Sequence, residues 1–473
     1  MQEKLAETIK YIKSNQIIGG SENSLAETLV QALRQNFGDI ISTGNTIYYC
    51  DKDLLWKPID DTSLCSITSA FDRRVLGKTF KISMSAAKAR GVIQFLKLSP
   101  QILDQTFFDT PLSGIAFTNT VLIADKDGIQ QVAPSKVHRL RTCLPFNYET
   151  TIQPTKWLEL LDQIFLTDVD KAQKISALQE FLGMCMINRI TQCDKCLICV
   201  GAGANGKSTL IDAIQLLMSK SAFASIPPQK WEDEYYISLL DGKVFNLVSE
   251  LPESAILHTD KFKSIVTGDS VMARSPYESP RTIKPIAGHI FATNELPHSD
   301  DNSDGFWRRF LVFSFNQTFK NQQGKTRRQI LAEIQPEVPA IVYWCLEGAV
   351  RRLNQAEFTE IPSHQVTLDT WRLESDSVAA WAKNHAKPID INQEQPLAAF
   401  LKINGWKSAG VRSFYVKWCE AEGYRPVGAR KLKRRLEALG YLSFRITDGT
   451  YWAIKITVHE DPIAPHQVES KPN

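Results

Sequence analysis

The sequence predicts an α/β protein with a mixed α and β region before its core and a small helix-and-hairpin domain after it. Three observations support this fold class. A glycine-rich segment at 201–209 stands between an apolar run and an amphipathic stretch. Two further apolar runs, at 244–248 and 289–293, lead into polar side chains. The two ends of the chain instead combine helical periodicity with hairpin patterns, which is typical of separate small domains.

Composition limits the class of protein. The chain has 473 residues, enough for roughly three domains, because one core rarely exceeds about 250–300 residues. A formal charge of +3 means that any nucleic-acid surface must come from local clusters of cations. Nine cysteines without a regular framework fit a reducing compartment. Since no stretch approaches the ~20 apolar residues of a membrane span, we expect a soluble protein without a membrane partner in the cytoplasm of a host cell.

Residues 1–145 are predicted to form an N-terminal α+β domain. Positions 4–13 and 25–37 show the periodicity of short amphipathic helices, and hairpins are predicted at 47–56 and 121–132. The Asp-Lys-Asp triplets in these hairpins resemble carboxylate pairs of metal sites. Because aspartate is favoured in turns, we interpret both as turn residues. Residues 146–190 have helical spacing and are predicted to form a helical collar.

A glycine-rich segment organises the next predicted domain, at 191–365. The segment Gly201-Ala-Gly-Ala-Asn-Gly-Lys-Ser-Thr209 fits the pattern G-x-x-x-x-G-K-[ST], with a predicted strand at 196–200 before it and a helix at 207–220 after it. Glycines allow backbone N–H groups to point at phosphate oxygens, and a helix N-terminus adds partial positive charge. The sequence therefore predicts a site for ATP and Mg²⁺. Its residues are Gly201, Gly203, Ala204, Asn205, Gly206, Lys207, Ser208 and Thr209.

Three cysteines near this segment have a spacing that also occurs at metal sites. Cys193, Cys196 and Cys199 are each separated by two residues. Cys196 and Cys199, however, fall in the predicted strand, where residues three apart point to opposite faces. We interpret them as buried thiols, not as metal ligands.

Polar residues downstream can complete a hydrolytic site. Glu250 follows an apolar run and can orient an attacking water, although a surface glutamate at a strand end is the alternative. The Asn294 amide can contact both the water and the γ phosphate, although asparagine after a strand is often a turn residue. Arg308 and Arg309 precede another apolar run, and either one can stabilise charge on a transferred phosphoryl group or form a surface ion pair.

The order and spacing of these residues resemble superfamily 3 helicases, over about residues 100–455. The resemblance is closest to the helicase part of the phage, plasmid and poxvirus primase-helicase branch. It rests on four segments: Gly242-Lys-Val-Phe-Asn-Leu-Val-Ser-Glu250, Lys263-Ser-Ile-Val-Thr-Gly-Asp269, Ala292-Thr-Asn294 and Trp307-Arg-Arg309.

The resemblance implies an AAA+-like P-loop ATPase core that assembles as a ring, usually a hexamer. Such a ring moves along single-stranded DNA, generally 3′ to 5′. By motif position, Lys207 and Ser208 are expected to hold the phosphates and Mg²⁺, with Glu250 serving the attacking water and the metal. Asn294 is expected to sense the γ phosphate.

The resemblance also implies a role for one of two arginines, and the chain departs from the family pattern at two positions. Arg309 is expected to be the finger that reaches the ATP of a neighbouring subunit, with Arg308 as the reserve candidate. Many members have two acidic residues where this chain has Ser249-Glu250, which leaves Mg²⁺ with less carboxylate support. Thr120 stands where a glycine is common in an upstream signature, so the role of the N-terminal domain stays open.

Residues 270–285 are predicted to form a DNA-binding hairpin. Two short extended runs flank a Pro-Tyr-Glu-Ser-Pro tip, and in the family this segment projects into the ring channel. Tyr277 at the tip can stack on a base while cations pair with phosphates, which gives binding that ignores base sequence. The cations assigned to this surface are Lys263, Arg274, Arg281 and Lys284.

Residues 366–456 are predicted to form a C-terminal winged helix, followed by a disordered tail at 457–473. Helices at 411–422 and 427–439 precede a hairpin, which is the element order of a winged helix. The second helix has the charge layout of a recognition helix on phosphates, although a solvated basic face is the alternative. The cations expected on its outer face are Arg430, Lys431, Lys433, Arg434 and Arg435.

The sequence thus favours an ATP-dependent replicative DNA helicase of a phage, plasmid or mobile element, acting on single-stranded and forked DNA as a homo-hexamer. A primase or polymerase of the same element is a further expected partner, because no primase activity is expected in this chain. The alternative is an origin-binding or helicase-loading protein in which nucleotide controls assembly without unwinding. A packaging ATPase ranks lower, since no companion nuclease pattern is seen.

Overall fold

The structure is a computed structural model that falls into two units. The described residues are 1–76, 80–108, 114–149, 152–251, 259–275, 280–297, 299, 301, 303–319, 324–391, 396–424 and 426–457. The first unit comprises Met1–Pro297 with Asp304–Gln365, and the second comprises His298–Ser303 with Val366–Asn473. The finer domain boundaries given above remain predictions, and the predicted tail beyond residue 457 lies outside the described residues.

The N-terminal part of the first unit packs helices against a small antiparallel sheet. Its elements are α1 (Gln2–Ser14), α2 (Glu22–Phe37), β1 (Ile40–Thr43), β2 (Thr46–Cys50), β3 (Trp56–Ile59), α3 (Asp61–Thr68), β4 (Val75–Leu76), β5 (Phe80–Lys81) and α4 (Ala86–Lys97). The two predicted helices and the first hairpin are confirmed. Helix α2 begins after Ser21, whose hydroxyl accepts a hydrogen bond from the Ser24 N–H, and its buried leucines recur every four residues.

A second sheet and two helices follow. These are β6 (Gly114–Phe117), β7 (Val121–Asp125), β8 (Gly128–Val132), β9 (Cys143–Leu144), α5 (Thr155–Ile164) and α6 (Lys171–Met186). The second hairpin and the collar helices are confirmed, as is the turn role of the aspartates: Asp51 Oδ1 accepts from the Asp53 N–H, and Asp125 Oδ1 from the Asp127 N–H, both at 2.9 Å. Hydrophobic residues of this sheet share one core with α5 and α6, so the second hairpin packs with the collar.

The centre of the first unit is a parallel five-stranded sheet in the order β11-β12-β15-β10-β16. Its elements are β10 (Cys196–Val200), α7 (Lys207–Gln215), β11 (Phe223–Ala224), α8 (Glu234–Ser238), β12 (Phe245–Val248), α9 (Thr259–Thr267), β13 (Val271–Ala273), β14 (Arg281–Ile283), β15 (Gly288–Thr293), α10 (Asp304–Trp307), β16 (Phe310–Ser314), α11 (Arg327–Ile334) and α12 (Val338–Asn354). Helix α13 (Pro362–Ser375) begins in the first unit and continues into the second from Val366. Helix α7 ends at Gln215, five residues before its predicted end.

The parallel arrangement gives this sheet two distinct edges. We call the edge formed by the ends of the strands, Val200, Val248, Thr293 and Ser314, the carboxyl edge. The opposite amino edge is formed by the strand starts, Cys196, Phe245, Gly288 and Phe310. Strands β10, β12 and β15 are buried and most of their residues are apolar, because helices cover both faces of such a sheet. Loops at opposite edges are therefore separated by the length of a strand.

The second unit contains short helices and strands with a separate hydrophobic core. Its elements are α14 (Ser377–His385), β17 (Ala386–Pro388), α15 (Leu397–Asn404), β18 (Trp406–Lys407), α16 (Ser408–Ala421), α17 (Ala429–Ala438), β19 (Ser443–Ile446), β20 (Gly449–Trp452) and β21 (Ile454–Ile456). The two predicted helices and the hairpin are confirmed, while the winged-helix assignment remains a prediction. Across the described parts of both units, no helix has the length and apolar character that crossing a bilayer requires.

Candidate functional site

The glycine-rich loop connects β10 to α7 at the carboxyl edge. Gly201 has φ +155°, and a Cβ there would lie 2.5 Å from the Phe315 carbonyl oxygen. Gly206 has φ +92°, and a Cβ there would lie 2.8 Å from Ile164 Cγ1. Both positions therefore require glycine, for conformation and for close packing. A Cβ at Gly203 would meet nothing within 4 Å, so protein contacts do not explain that glycine.

The segment after β16 braces the loop. Asn205 Nδ2 donates to the Phe315 carbonyl at 3.3 Å, and the Phe319 N–H donates to the Ala204 carbonyl at 2.8 Å. The end of β16 is itself held by Lys174, which donates to the Ser314 carbonyl at 2.9 Å. The middle of the loop is thus held by two hydrogen bonds to the segment after β16.

Lys174 belongs to a buried ionic cluster. Its ammonium lies 2.9 Å from Asp168 Oδ2 and 3.7 Å from Asp170 Oδ1, and all three side chains are almost completely buried. Asp170 also accepts a hydrogen bond from the Ser363 N–H at 2.8 Å. Since a buried charge is costly without partners, this cluster fixes α6 against the carboxyl edge. The cluster could not be predicted from the sequence, because a lysine in the first turns of a helix has the pattern of an ordinary surface residue.

Lys207 is held over the loop. Its ammonium donates to the carbonyls of Gly201 and Ala202, the latter at 3.2 Å, and to Asn205 Oδ1 at 3.1 Å. It also donates to Asn294 Oδ1 at 3.5 Å. Burial lowers the pKa of Lys207 from its usual range. A phosphate group is a stronger partner for this cation than neutral carbonyls are, because charge-assisted hydrogen bonds are roughly twice as strong.

One open cleft at the carboxyl edge brings together most of the predicted site. It encloses about 690 Å³, counting the solvent space at its mouth. Gly201, the first residue of the loop, does not line the cleft. The lining residues are Gly203, Ala204, Asn205, Gly206, Lys207, Ser208, Thr209, Ser249, Glu250, Thr293 and Asn294. Residues that are distant in sequence therefore meet where three strands end, as a hydrolytic nucleotide site requires.

The oxygen atoms in this cleft fit a nucleotide-bound Mg²⁺. Ser208 and Glu250 both line it, and a hydroxyl and a carboxylate are the hard ligands that Mg²⁺ prefers. In the part of the chain that the structure describes, no group of three or more His, Cys, Asp or Glu side chains could hold a metal ion. A cation here would thus depend on phosphate oxygens. Burial raises the pKa of the nearby Cys199 thiol to about 12, so this thiol stays protonated at neutral pH.

The two arginines lie away from this cleft. Arg309 precedes β16 at the amino edge, where its carbonyl accepts from the Cys196 N–H at 2.8 Å. A strand of five residues separates the edges by about 16 Å at ~3.3 Å per residue. Arg309 is only 8% exposed and donates to the Gly305 carbonyl. The Arg308 side chain is 63% exposed and lies 3.6 Å from Asp194. Of the two, Arg308 is the accessible one.

Both strands of the predicted DNA-binding hairpin are present, because β13 pairs with β14 in antiparallel orientation. Tyr277, expected at the tip, lies outside the described residues. Arg274 and Lys284 are exposed and Lys263 is half-buried, and Arg274 lies 5.8 Å from the centre of the Tyr235 ring. Arg281 differs from the expectation of a cation on a projecting hairpin, because it lies against the body of the unit and pairs with Asp241 at 2.9 Å.

The basic face of α17 is present in the second unit. Arg430, Lys433 and Arg434 are exposed, and Lys431 is half-buried. Arg435 was expected outside, but it points inward to the buried carboxylate of Asp376, which caps the start of α14. Arg435 therefore anchors α17 to α14, and the assignment of this residue to the outer face was wrong.

Comparisons with known proteins match parts of this chain. A model of a family of unknown function, DUF5906, matches residues 199–309. The chain is 28% identical over 144 residues to "Putative helicase L207/L206" of Acanthamoeba polyphaga mimivirus. That alignment covers 28% of this chain and 14% of the viral protein. The family match begins in β10 and ends at Arg309, so it includes the loop, Glu250 and Asn294.

Solved structures of the C-terminal region of NrS-1 align with most of this chain. One apo form covers 93% of this chain and 100% of that chain, with 13% identity and a TM-score of 0.45. Another, of residues 305–718, covers 92% of this chain with 14% identity and a TM-score of 0.43.

Proposed function

We propose that this chain is an ATP-dependent DNA helicase of a phage, plasmid or mobile element, acting as a ring, with 3′ to 5′ the expected direction. The observation that carries the proposal is the cleft in which Lys207, Ser208, Glu250 and Asn294 meet at the carboxyl edge. The local similarity to a viral protein named as a helicase supports the choice of reaction.

Each residue of the cleft has its own role in the proposed hydrolysis of ATP. Backbone N–H groups of the loop and the Lys207 ammonium bind the β and γ phosphates. Ser208 and Glu250 would hold the Mg²⁺ that accompanies the nucleotide, and this ion would neutralise phosphate charge. Glu250 orients the water that attacks the γ phosphorus and takes up its proton, while the bond to the β–γ bridging oxygen breaks and ADP leaves. Asn294 bridges Lys207 and the γ phosphate.

The position of the arginines supports hydrolysis shared between subunits. Because Arg308 stands at the amino edge and the cleft at the carboxyl edge, the arginine cannot serve the ATP of its own chain. Its exposure suits a finger offered to a neighbouring copy in a ring, whereas the buried Arg309 suits a structural role. We therefore place the finger at Arg308.

The alternative is a nucleotide-controlled origin-binding or helicase-loading protein. The basic face of α17 favours it, because exposed Arg430, Lys433 and Arg434 would suit duplex recognition without translocation. Both functions use the same cleft, and they differ in whether hydrolysis separates strands.

Strand displacement tests the proposal. A labelled fork is incubated with ATP and Mg²⁺ and with the intact chain, Lys207→Ala, Arg308→Ala or the control Lys220→Ala, which changes an exposed lysine beyond α7. We expect displacement by the intact chain and the control, none by the two site variants, and partial recovery when these two are mixed. DNA binding without displacement at any salt concentration would favour the loader.

A further inference from the structure

A second cleft lies at the amino edge of the same sheet. It encloses about 1030 Å³, counting the solvent space at its mouth, and its walls come from two parts of the first unit. One wall consists of segments just before β10, β12 and β15: Asn188, Thr191, Gln192, Asp241, Pro285 and Ile286. The other includes residues of the N-terminal region: Thr43, Gly44, Tyr48, Gln105, Phe108 and Arg141. The core and the N-terminal region thus build this cleft jointly.

Two arginines share one carboxylate in this cleft. Arg281 Nη1 lies 2.9 Å from Asp241 Oδ2, and Arg141 Nη1 lies 3.7 Å from Asp241 Oδ1. Lys284 also lines the cleft, so three cations face one carboxylate among the described lining residues. The arginine side chains are only 16% and 22% exposed, which limits screening of their charge by water. The cleft therefore carries a positive potential.

The guanidinium groups are held in place before any ligand binds. The Arg141 guanidinium lies 4.4 Å from the centre of the Phe108 ring. Gly242 has φ +67°, and a Cβ there would lie 2.6 Å from Arg141 Nη1, so a glycine leaves the room this arginine occupies. Arg281 Nε is buried and has no hydrogen-bond partner among the described residues. Each guanidinium offers five N–H donors, and one aspartate cannot accept from all of them.

We propose that this cleft binds the sugar-phosphate backbone of single-stranded DNA, and that the N-terminal region thereby takes part in gripping the strand. Paired guanidiniums suit phosphodiester oxygens, and the amides of Gln105 and Gln192 beside them suit a chain of sugar and base. Arg281 belongs to β14, so a strand lying along the hairpin continues into the cleft. This inference rests on the proposed function for its choice of DNA over other polyanions.

Fluorescence anisotropy of a labelled oligothymidine, titrated without nucleotide over a range of salt concentrations, tests the proposal. Arg141→Gln and Arg281→Gln should each raise Kd several-fold and reduce the slope of log K against log salt by about 0.7, the value for one phosphate contact with a single strand. Asp241→Asn should lower Kd several-fold, because it removes the carboxylate that competes with phosphate. Arg90→Gln, at an exposed arginine of α4 outside the cleft, is the matched control.

The arginine variants and Asp241→Asn are expected to change Kd in opposite directions. Misfolding cannot explain both changes, because a misfolded protein would not bind DNA more tightly. Arginine variants that match Arg90→Gln, or Asp241→Asn that binds no more tightly, would overturn the proposal. Displacement of the oligonucleotide by thymidine monophosphate at an equal concentration of phosphate groups would show a small-anion site and overturn it too. Because the assay contains no ATP, a chain that fails to hydrolyse ATP can still confirm this cleft.

Discussion

The two edges of one parallel sheet carry sites built in different ways. At the carboxyl edge the principal groups come from one contiguous loop, residues 201–209, joined by side chains that directly follow strands. At the amino edge Arg141 and Arg281, 140 positions apart in the chain, meet on Asp241. A site made from backbone N–H groups needs a particular local sequence, because the loop must adopt one conformation. A site made from side-chain charge needs only proximity, which the fold supplies.

Removing the buried ionic cluster that supports the carboxyl edge should have the largest effect. Lys174→Met leaves Asp168 and Asp170 buried without their cation and should lower the free energy of unfolding by about 3–5 kcal/mol. Lys171→Met on the same helix changes an ion pair with Asp162, whose side chain is 55% exposed, and should cost no more than about 1 kcal/mol. Urea denaturation measures both. Equal losses would show that the cluster does not hold this edge.

The next largest effect concerns chemistry at the carboxyl edge. Lys207→Ala should lower kcat for ATP hydrolysis about 10²- to 10³-fold, because the cation that stabilises phosphate charge is lost. Lys220→Ala should hydrolyse ATP at the rate of the intact chain. Steady-state phosphate release measures both rates. A Lys207→Ala variant with more than a tenth of the intact rate would contradict the role given to this lysine.

Two glycines of the loop differ in how strongly the backbone conformation and its packing require glycine. Gly201→Ala places a Cβ 2.5 Å from the Phe315 carbonyl, so we expect a loss of about 1–3 kcal/mol in unfolding free energy and weaker nucleotide binding. Gly203→Ala meets no protein atom within 4 Å and should leave stability within about 0.5 kcal/mol. Thermal unfolding of both variants measures the difference. Equal stability of the two variants would show that the loop does not depend on its contact with β16.

At neutral pH the smallest expected effect lies near the amino edge, at His289 of β15, because a histidine is mostly neutral there in both the folded and the unfolded chain. The Asn246 side chain is fixed because its Oδ1 accepts from the Ile226 N–H at 2.7 Å, so its Nδ2 donates to His289 Nδ1 at 3.2 Å. Burial lowers the pKa of His289 to about 3. The unfolded chain therefore binds a proton near pH 6.5 that the folded chain resists, and stability should fall as pH falls from about 6.5 towards 3.

Comparison with His289→Gln isolates this contribution. The intact chain should lose up to about 1.4 kcal/mol more per pH unit than the variant in this window. Carboxylates titrate in both proteins and cancel in the difference, which urea denaturation at several pH values measures. Parallel pH profiles would contradict a neutral buried His289.

Much of the carboxyl edge could be predicted from the sequence. The loop, Glu250 and Asn294 are each tied to a strand end, so apolar runs predicted their positions and the structure places them in one cleft. The difference in exposure between Arg308 and Arg309 could not be predicted, because the burial of adjacent residues depends on how the turn before β16 packs. Arg435 was misplaced for a similar reason: its partner Asp376 lies 59 positions earlier. Only Arg281 and Lys284 of the amino-edge cleft were assigned to a DNA surface from the sequence, since Arg141 and Asp241 belong to no local pattern.

The two proposals together place ATP hydrolysis at one edge of the sheet and DNA at the other. The most direct test is the rate of ATP hydrolysis by the intact chain as oligothymidine is added, with Lys207→Ala as the control for contaminating ATPase. We expect a rate that rises and saturates with DNA and that is absent from the variant. Hydrolysis that is indifferent to DNA, or that persists in Lys207→Ala, would contradict this expectation.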